Sequence, residues 1–367
     1  MRVRSQRVTP HFTLLDPFAR LAAMLGIVFI SFSVTLLGVV VLMRLWRLAR
    51  DRRERRFIDL WSPIFFESMA ETPKTLPGIL ASDWITFMQL YNSIQESIVG
   101  EAKEQVNVLA RRVGFNRVAL KRMRQGRLSH RLTAVIALGN LCEHSAENDL
   151  QELLLDKSPY LSLLAARALL RIESRPAMAR IAVLCGSRED WSSVGVIEML
   201  NEAGTDTVAD SLSKVAAHAR PDEAARVLGF LEATKCTTAV PLARDILGRK
   251  GLDDRLTIAC IRLLAELAGP EDLPFVRGYL QHHNWCVRLH AVKALGRLGS
   301  LDDEDNMISL LDDENWWVRF RTAEALANFS FMTKARLIDI KTRVSTKAQE
   351  VLTPFAATHP LRSKLSM

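Results

Sequence analysis

Residues 284–299 read NWCVRLHAVKALGRLG and residues 315–330 read NWWVRFRTAEALANFS. The second stretch begins 31 residues after the first and keeps Asn, Trp, Val, Arg, Ala and Leu in the same places. Aligned on the small residue that opens AVKALGRLG at 291, similar phrases start at 134 (AVIALGNLC), 165 (AARALLRIE), 196 (VIEMLNEAG), 260 (CIRLLAELA) and 322 (TAEALANFS). Neighbouring phrases stand 31 residues apart except for one gap of 64, which AARVLGFLE at 224 fills imperfectly. A repeat of this length fits one helix of 12–14 residues, a turn, a shorter helix such as DNMISLLDDEN (305–315), and a second turn. One such pair cannot bury its apolar face alone, whereas a stack of pairs builds a continuous core. Seven units over 128–340 are expected, with Ala291, Ala294 and Gly296 permitting close helix approach and Leu295, Leu298, Leu326 and Phe329 filling the space between units.

The residues Val287, Arg288, Ala291, Ala294, Leu295 and Gly296, with Val318, Arg319, Ala325 and Leu326, resemble the HEAT-repeat superfamily. The likeness is to its short-unit branch, related to the repeats of phycobilisome lyases. The resemblance implies an all-α chain with an α-solenoid that binds protein partners. An N-terminal anchor ahead of such repeats is similar to bacterial membrane HEAT proteins. That likeness implies a partner such as an inner-membrane glycosyltransferase or another polysaccharide assembly component. Within the superfamily a bilin lyase or a DNA glycosylase is the enzymatic alternative.

Leu21 to Met43 is a run of 23 residues without charge. At about 1.5 Å per residue it reaches about 35 Å, enough to cross a hydrocarbon core of about 30 Å. It is longer than the apolar region of a cleaved signal and leads into arginines, not a cleavage site. Arg44, Arg47, Arg50, Arg52, Arg53, Arg55 and Arg56 follow it, against Arg2, Arg4, Arg7 and Arg20 before it. This bias predicts a single-pass protein with its N-terminal tail outside and its C-terminal bulk cytoplasmic; the resemblance implies that the membrane is a bacterial inner membrane. Trp46 is a natural interfacial anchor, and the arginines should attract anionic lipid.

The net charge of +8 arises wholly from residues 1–56, which hold 11 arginines and 3 acids. The remainder is balanced, so the basic pI does not indicate nucleic-acid binding. Five cysteines, at 142, 185, 236, 260 and 286, form no CxxC pair. They read as small core residues, not as disulfides or a zinc ribbon.

The organisation expected is therefore a tail (1–20), a transmembrane helix (21–43), an Arg-rich juxtamembrane segment (44–56), a helical pre-repeat region (57–127), the repeats (128–340) and a C-terminal helix or tail (341–367). In the pre-repeat region FIDLWSPIFFESM is an amphipathic stretch with a break at Pro63. Trp84, Phe87, Met88, Tyr91, Ile94 and Ile98 mark the packed face of a helix. Nine Lys or Arg and two Glu lie within 101–131, either a solvated face or one turned to the membrane.

Arg288 and Arg319 sit at matching places near helix starts. They are expected to tie units together through Asp312, Asp313, Asp253 or Asp254, with partner contact as the alternative. Trp285, Trp316 and Trp317 gather at the C-terminal end, and aromatics there serve as packing staples or as binding hot spots. Two adjacent tryptophans cannot easily both turn inward. One of Trp316 and Trp317 is expected to be exposed, and burial of the other should contribute about 3–5 kcal/mol. Trp316, Trp317, Trp285, Arg319 and Arg288 are thus the candidate partner-binding residues.

His282, His283, Cys286 and His290 could share a helix face as metal ligands. Cys286 and His290 align with Trp317 and Arg321, however, so these are ordinary repeat positions and no metal is expected. Seven acids between 302 and 314 form either a solvated turn or an interaction surface. GxxxxGK[ST], HExxH, GxSxG and GxGxxG are all missing, so neither catalysis nor a cofactor is expected.

Overall fold

The computed structural model describes residues 17–71 and 73–358. Arg2, Arg4, Arg7 and the segment 359–367 lie outside the described residues, as does the side chain of Arg20. Among the described residues there are nineteen α-helices, short 3₁₀ turns and no strand. The chain forms two compact units, Met1–Val113 and Gly114–Met367.

The first unit holds α1 (Pro17–Ser68), α2 (Trp84–Ser97) and α3 (Glu101–Arg112). Among the described residues α1 is the one helix long and apolar enough to cross a membrane, and none of its apolar window is buried. It runs without interruption through the arginine segment and past Pro63. The expected break at Pro63 is absent because Pro63 and Asp59 lie on the exposed face. There the Asp59 carbonyl, freed by the missing N–H, meets solvent.

The last turns of α1 bury Phe57, Trp61 and Phe65 against Phe87, Met88 and Tyr91 of α2. Trp61 meets Phe87 edge to face at 5.1 Å, a geometry aromatic quadrupoles favour. Trp61 Nε1 is buried without a hydrogen-bond partner, whereas the polar groups of α2 and α3 pair with one another. Tyr91 Oη donates to Asn107 Oδ1 at 2.6 Å, and Gln95 Nε2 donates to the same oxygen at 2.7 Å. The breaker after α1 is held by Arg112, which donates to the carbonyls of Pro73 and Lys74.

In the second unit α4 (Phe115–Gln125) precedes seven phrase-bearing helices. These are α5 (Leu128–Asn140), α7 (Pro159–Ile172), α9 (Ser193–Ala203), α11 (Pro221–Ala233), α13 (Asp254–Leu267), α15 (Trp285–Leu298) and α17 (Trp316–Asn328). Between and after them come α6 (Glu147–Leu153), α8 (Ser174–Ser187), α10 (Thr205–His218), α12 (Val240–Leu247), α14 (Leu273–Arg277), α16 (Glu304–Ser309) and α18 (Lys334–Arg343). The last helix, α19 (Thr346–Thr358), packs on α17 in the place of a further first helix.

The quoted phrases explain themselves in this frame. Asn284 and Asn315 are N-caps whose side-chain oxygens accept from the N–H of Cys286 and Trp317, satisfying donors that a helix start leaves unpaired. The face that follows, Val287, Ala291, Val292, Ala294 and Leu295, is buried.

First helices stack directly on one another from α11 through α13, α15 and α17, and again between α5 and α7. The middle differs. On its N-terminal side α11 packs on α10, then α8, and only lightly on α9. Second helices are long here, with α8 and α10 at 14 residues each. They carry the apolar surface themselves, through Met178, Ile181 and Cys185 and through Val208 and Leu212.

Two glycines let neighbouring first helices approach closely. A Cβ at Gly139 would lie 2.8 Å from the Cα and Cβ of Ala168, and one at Gly296 would lie 2.7 Å from the Cβ of Ala325. Each places a glycine of one unit against an alanine of the next at the same phrase position. At Gly229, inside α11, a Cβ would meet nothing within 4 Å. Chemical denaturation should therefore separate the two kinds of site. Gly296→Ala should destabilise by about 1–3 kcal/mol through overpacking, whereas Gly229→Ala should stabilise by about 0.5–1 kcal/mol through helix propensity. Equal effects would contradict the packing described.

Candidate interaction face

Trp285 and Trp316 each follow an N-cap asparagine, and a side chain at that first helical position points away from the packed face. They are 39% and 47% exposed, and Trp317 is 52% exposed. Both members of the Trp316–Trp317 pair thus stand in solvent. The burial contribution expected of an inward partner is missing, because Val318 and Thr322 take the inward positions instead. Trp316 stacks on Phe320 at 5.1 Å, and Phe320 reaches Phe355 of α19 at 5.4 Å. The result is an exposed aromatic surface across α17 and α19, with Trp285 one unit away. Trp191, by contrast, is buried and donates to Ser162 Oγ at 3.2 Å.

The two arginines have a different setting. Arg288 grips Asp313 through Nε and Nη2 at 2.7 and 2.8 Å, while its Nη1 donates to the carbonyls of His282 and His283. Arg319 repeats the second half, donating to the carbonyls of Asp313 and Glu314. Twenty-five residues beyond it stands Val344 in place of an acid, and its Nε is buried without a hydrogen-bond partner. Arg131 obeys the same 25-residue step, pairing with Asp156 at 3.3 Å. Both arginines therefore tie the backbone before their own helix, and Arg288 also joins two units.

Two further ladders were not foreseen from sequence. Between second helices, Arg244 pairs with Asp272 and Arg277 with Asp303; both acids are fully buried at the starts of the next second helices. Such an acid also answers the positive end of the helix dipole. At the ends of first helices, Asn140, Arg171 and Glu202 stand 31 residues apart and are joined in sequence. So are Lys235, Glu266 and Arg297. The 31-residue spacing of alternating charges was the available signal.

The ladders consume much of the acidic run. Asp303 binds Arg277, Glu304 binds Arg336, Asp313 binds Arg288 and Asp312 binds Ser345. Among the arginines that follow Met43, Arg53 pairs with Asp83 at 2.9 Å. Arg50 lies over the Trp46 ring, and Arg44, Arg47, Arg52, Arg55 and Arg56 are exposed.

His282 and His283 converge on Asp254 at 3.8 and 3.9 Å, without Cys286 or His290. His282 Nδ1 accepts the N–H of Asn284 at 3.2 Å. The Nε2 of His282 is the atom that faces Asp254. Cys185, Cys236 and Cys260 are buried, whereas Cys142 is exposed. Burial pushes the Cys185 and Cys260 thiols up to about 12, which removes thiolate chemistry from both.

The HEAT-repeat family pattern matches residues 240–327 and again 279–353. This is under a third of the chain and covers its most regular units. These residues accordingly carry HEAT repeats, stacked helix pairs of the kind that build extended binding surfaces. No curated protein sequence matches it. Among solved structures, Kap121p is similar at 13% identity with a TM-score of 0.39, over 76% of this chain and 41% of that one. An engineered protein is similar at 16% identity and 0.34, over 74% and 79%. The complex of CpcE and CpcF of phycocyanin lyase from Nostoc sp. PCC7120 is similar at 17% identity and 0.27, over 78% and 98%. These superpositions are loose, and the HEAT-repeat match of residues 240–353 rests on sequence.

Two predictions follow from the ladders. Arg288→Ala strands the buried Asp313 carboxylate and should cost about 3 kcal/mol in chemical denaturation. Arg319→Ala, which strands no acid, should cost clearly less; equal losses would contradict the 25-residue rule.

The second concerns pH. Burial would raise the Asp303 carboxyl, but the hydrogen bonds from Arg277 and the Ser300 N–H, with the Arg277 charge, outweigh it and hold the group below the usual range. Burial, helped by Lys293 and Arg262, lowers His290 to about 4. An unfolded chain then binds more protons than the folded one between about pH 6.5 and 4, so stability falls as pH falls across that window. It falls further as Asp303 protonates below it. His290→Gln should flatten the upper limb of a melting-temperature profile; an unchanged upper limb would contradict the assignment.

Proposed function

We propose that this chain is a non-enzymatic, membrane-anchored scaffold that holds a protein partner on its repeat unit. One observation carries the reading. The apolar length of α1 is unburied, while the same helix continues into a packed aromatic core through Phe57, Trp61 and Phe65. An apolar surface of that size is unstable in water and is satisfied by lipid. The continuous helix would transmit that fixation directly to the folded part of the chain. The arginines after Met43 favour a cytoplasmic repeat unit.

Trp285, Trp316 and Trp317 support a protein partner. Tryptophan is enriched at binding hot spots, and these three are exposed where the ladders leave them free. A membrane glycosyltransferase or another assembly component of an inner membrane is the partner class this reading favours, because scaffold and partner would share one bilayer.

Two measurements test it. Removing residues 1–56 keeps Phe57, Trp61 and Phe65, so the truncated chain should fold and leave the membrane fraction; a truncated chain that sediments with membranes as before contradicts the anchor. Replacing Trp285, Trp316 and Trp317 together by Ala should preserve helical circular dichroism. It should weaken a co-purified partner by about 2 kcal/mol per hot-spot residue; undiminished affinity contradicts the docking face.

A further inference from the structure

The helix α4 carries a charged surface that the ladders do not use. Its inward side, Phe115, Ala119 and Met123, is buried. On its outward side Arg117, Lys121 and Arg124 recur one helical turn apart, with Arg122 and Arg127 beside them. Arg124 is neutralised by Asp149 at 2.7 Å. Arg117, Lys121, Arg122 and Arg127 have no ion pair among the described residues, and Arg117, Lys121 and Arg127 are exposed. Leu128, 52% exposed, lies next to them. These four cations thus stand together without an ion pair among the described residues.

We propose that this face of α4 rests on anionic phospholipid headgroups. The inference rests on the membrane-anchored reading, and three observations favour lipid as the occupant. The face is short: 11 residues of helix span about 16 Å, and a headgroup layer needs no extended or shape-matched track. Phe115, the aromatic residue of α4, is buried, so the face offers no ring for a nucleic-acid base to stack on. Finally, α4 is covalently joined to α1, whose apolar length is followed at once by seven arginines. That tether holds α4 near a bilayer at high effective concentration, where basic side chains are drawn to anionic lipid. Leu128 is placed to enter the headgroup boundary beside them.

The test uses the full chain with phosphatidylcholine vesicles and with vesicles that also contain phosphatidylglycerol. Flotation reports membrane association, and amide hydrogen exchange reports residues 115–128. Exchange there should slow about tenfold on phosphatidylglycerol vesicles only. The slowing should vanish in about 1 M salt, where screening acts within about 3 Å. It should also vanish when Arg117, Lys121 and Arg127 are changed together to Glu, exposed positions whose replacement leaves the buried side of α4 intact.

Equal exchange on the two vesicle types would overturn the proposal, as would slowing that survives charge reversal. So would slowing by a short RNA and not by lipid. If the chain fails to float with phosphatidylcholine yet floats with phosphatidylglycerol and protects α4, the anchor reading fails while this proposal stands. If it floats with both and leaves α4 unprotected, only this proposal fails.

Discussion

A pair of short helices has one apolar face and nothing of its own to cover it. Everything in the second unit follows from that constraint. Where first helices stack directly, from α5 to α7 and from α11 to α17, each buries Val, Ala and Leu against the next, so a similar phrase returns. The closest contacts need the smallest residues, which is why Gly139 faces Ala168 and Gly296 faces Ala325. Helix dipoles and charges then obey the same period. The buried acids Asp272 and Asp303 each begin a second helix and each take an arginine from the second helix before it. Stability is thereby distributed over neighbours and not concentrated in one core.

That distribution leaves other surfaces free to differ. Tryptophans at the first position of α15 and α17 lie outside both the apolar face and the ladders, so changing them does not threaten the stack. The cations of α4 are similarly spared. The first unit follows another rule, with an aromatic core around Trp61 and Phe87 and a helix that leaves its apolar length uncovered. One part of the chain carries a long uncovered apolar helix, and the other is a repetitive frame on which surface residues can vary.

The first helices of the repeat region were legible because periodic burial dictates their residues. The phrases starting at 134, 165, 196, 224, 260, 291 and 322 all fall in α5 through α17. The pairing of Arg288 with Asp313 was among the partners the spacing allowed. What stayed hidden depends on alternatives that one unit does not contain. The long α8 and α10 change the neighbours of α9, and no single phrase shows that. The helix through Pro63 survives because Asp59 is exposed, which is a property of the folded surface. Both Trp316 and Trp317 lie outside because Val318 and Thr322 already fill the inward positions. The ladders of the second helices join residues whose own phrases are too degenerate to align.

If each unit is held chiefly by its neighbours, loss of one end should be felt only nearby. Hydrogen exchange on a chain ending at Gly299 tests this directly. The account predicts that α5 through α11 keep their protection, while α15, deprived of α17, loses it and α13 is weakened. Loss of protection throughout α5 to α13 would contradict it and would mean that the repeats fold as one indivisible core.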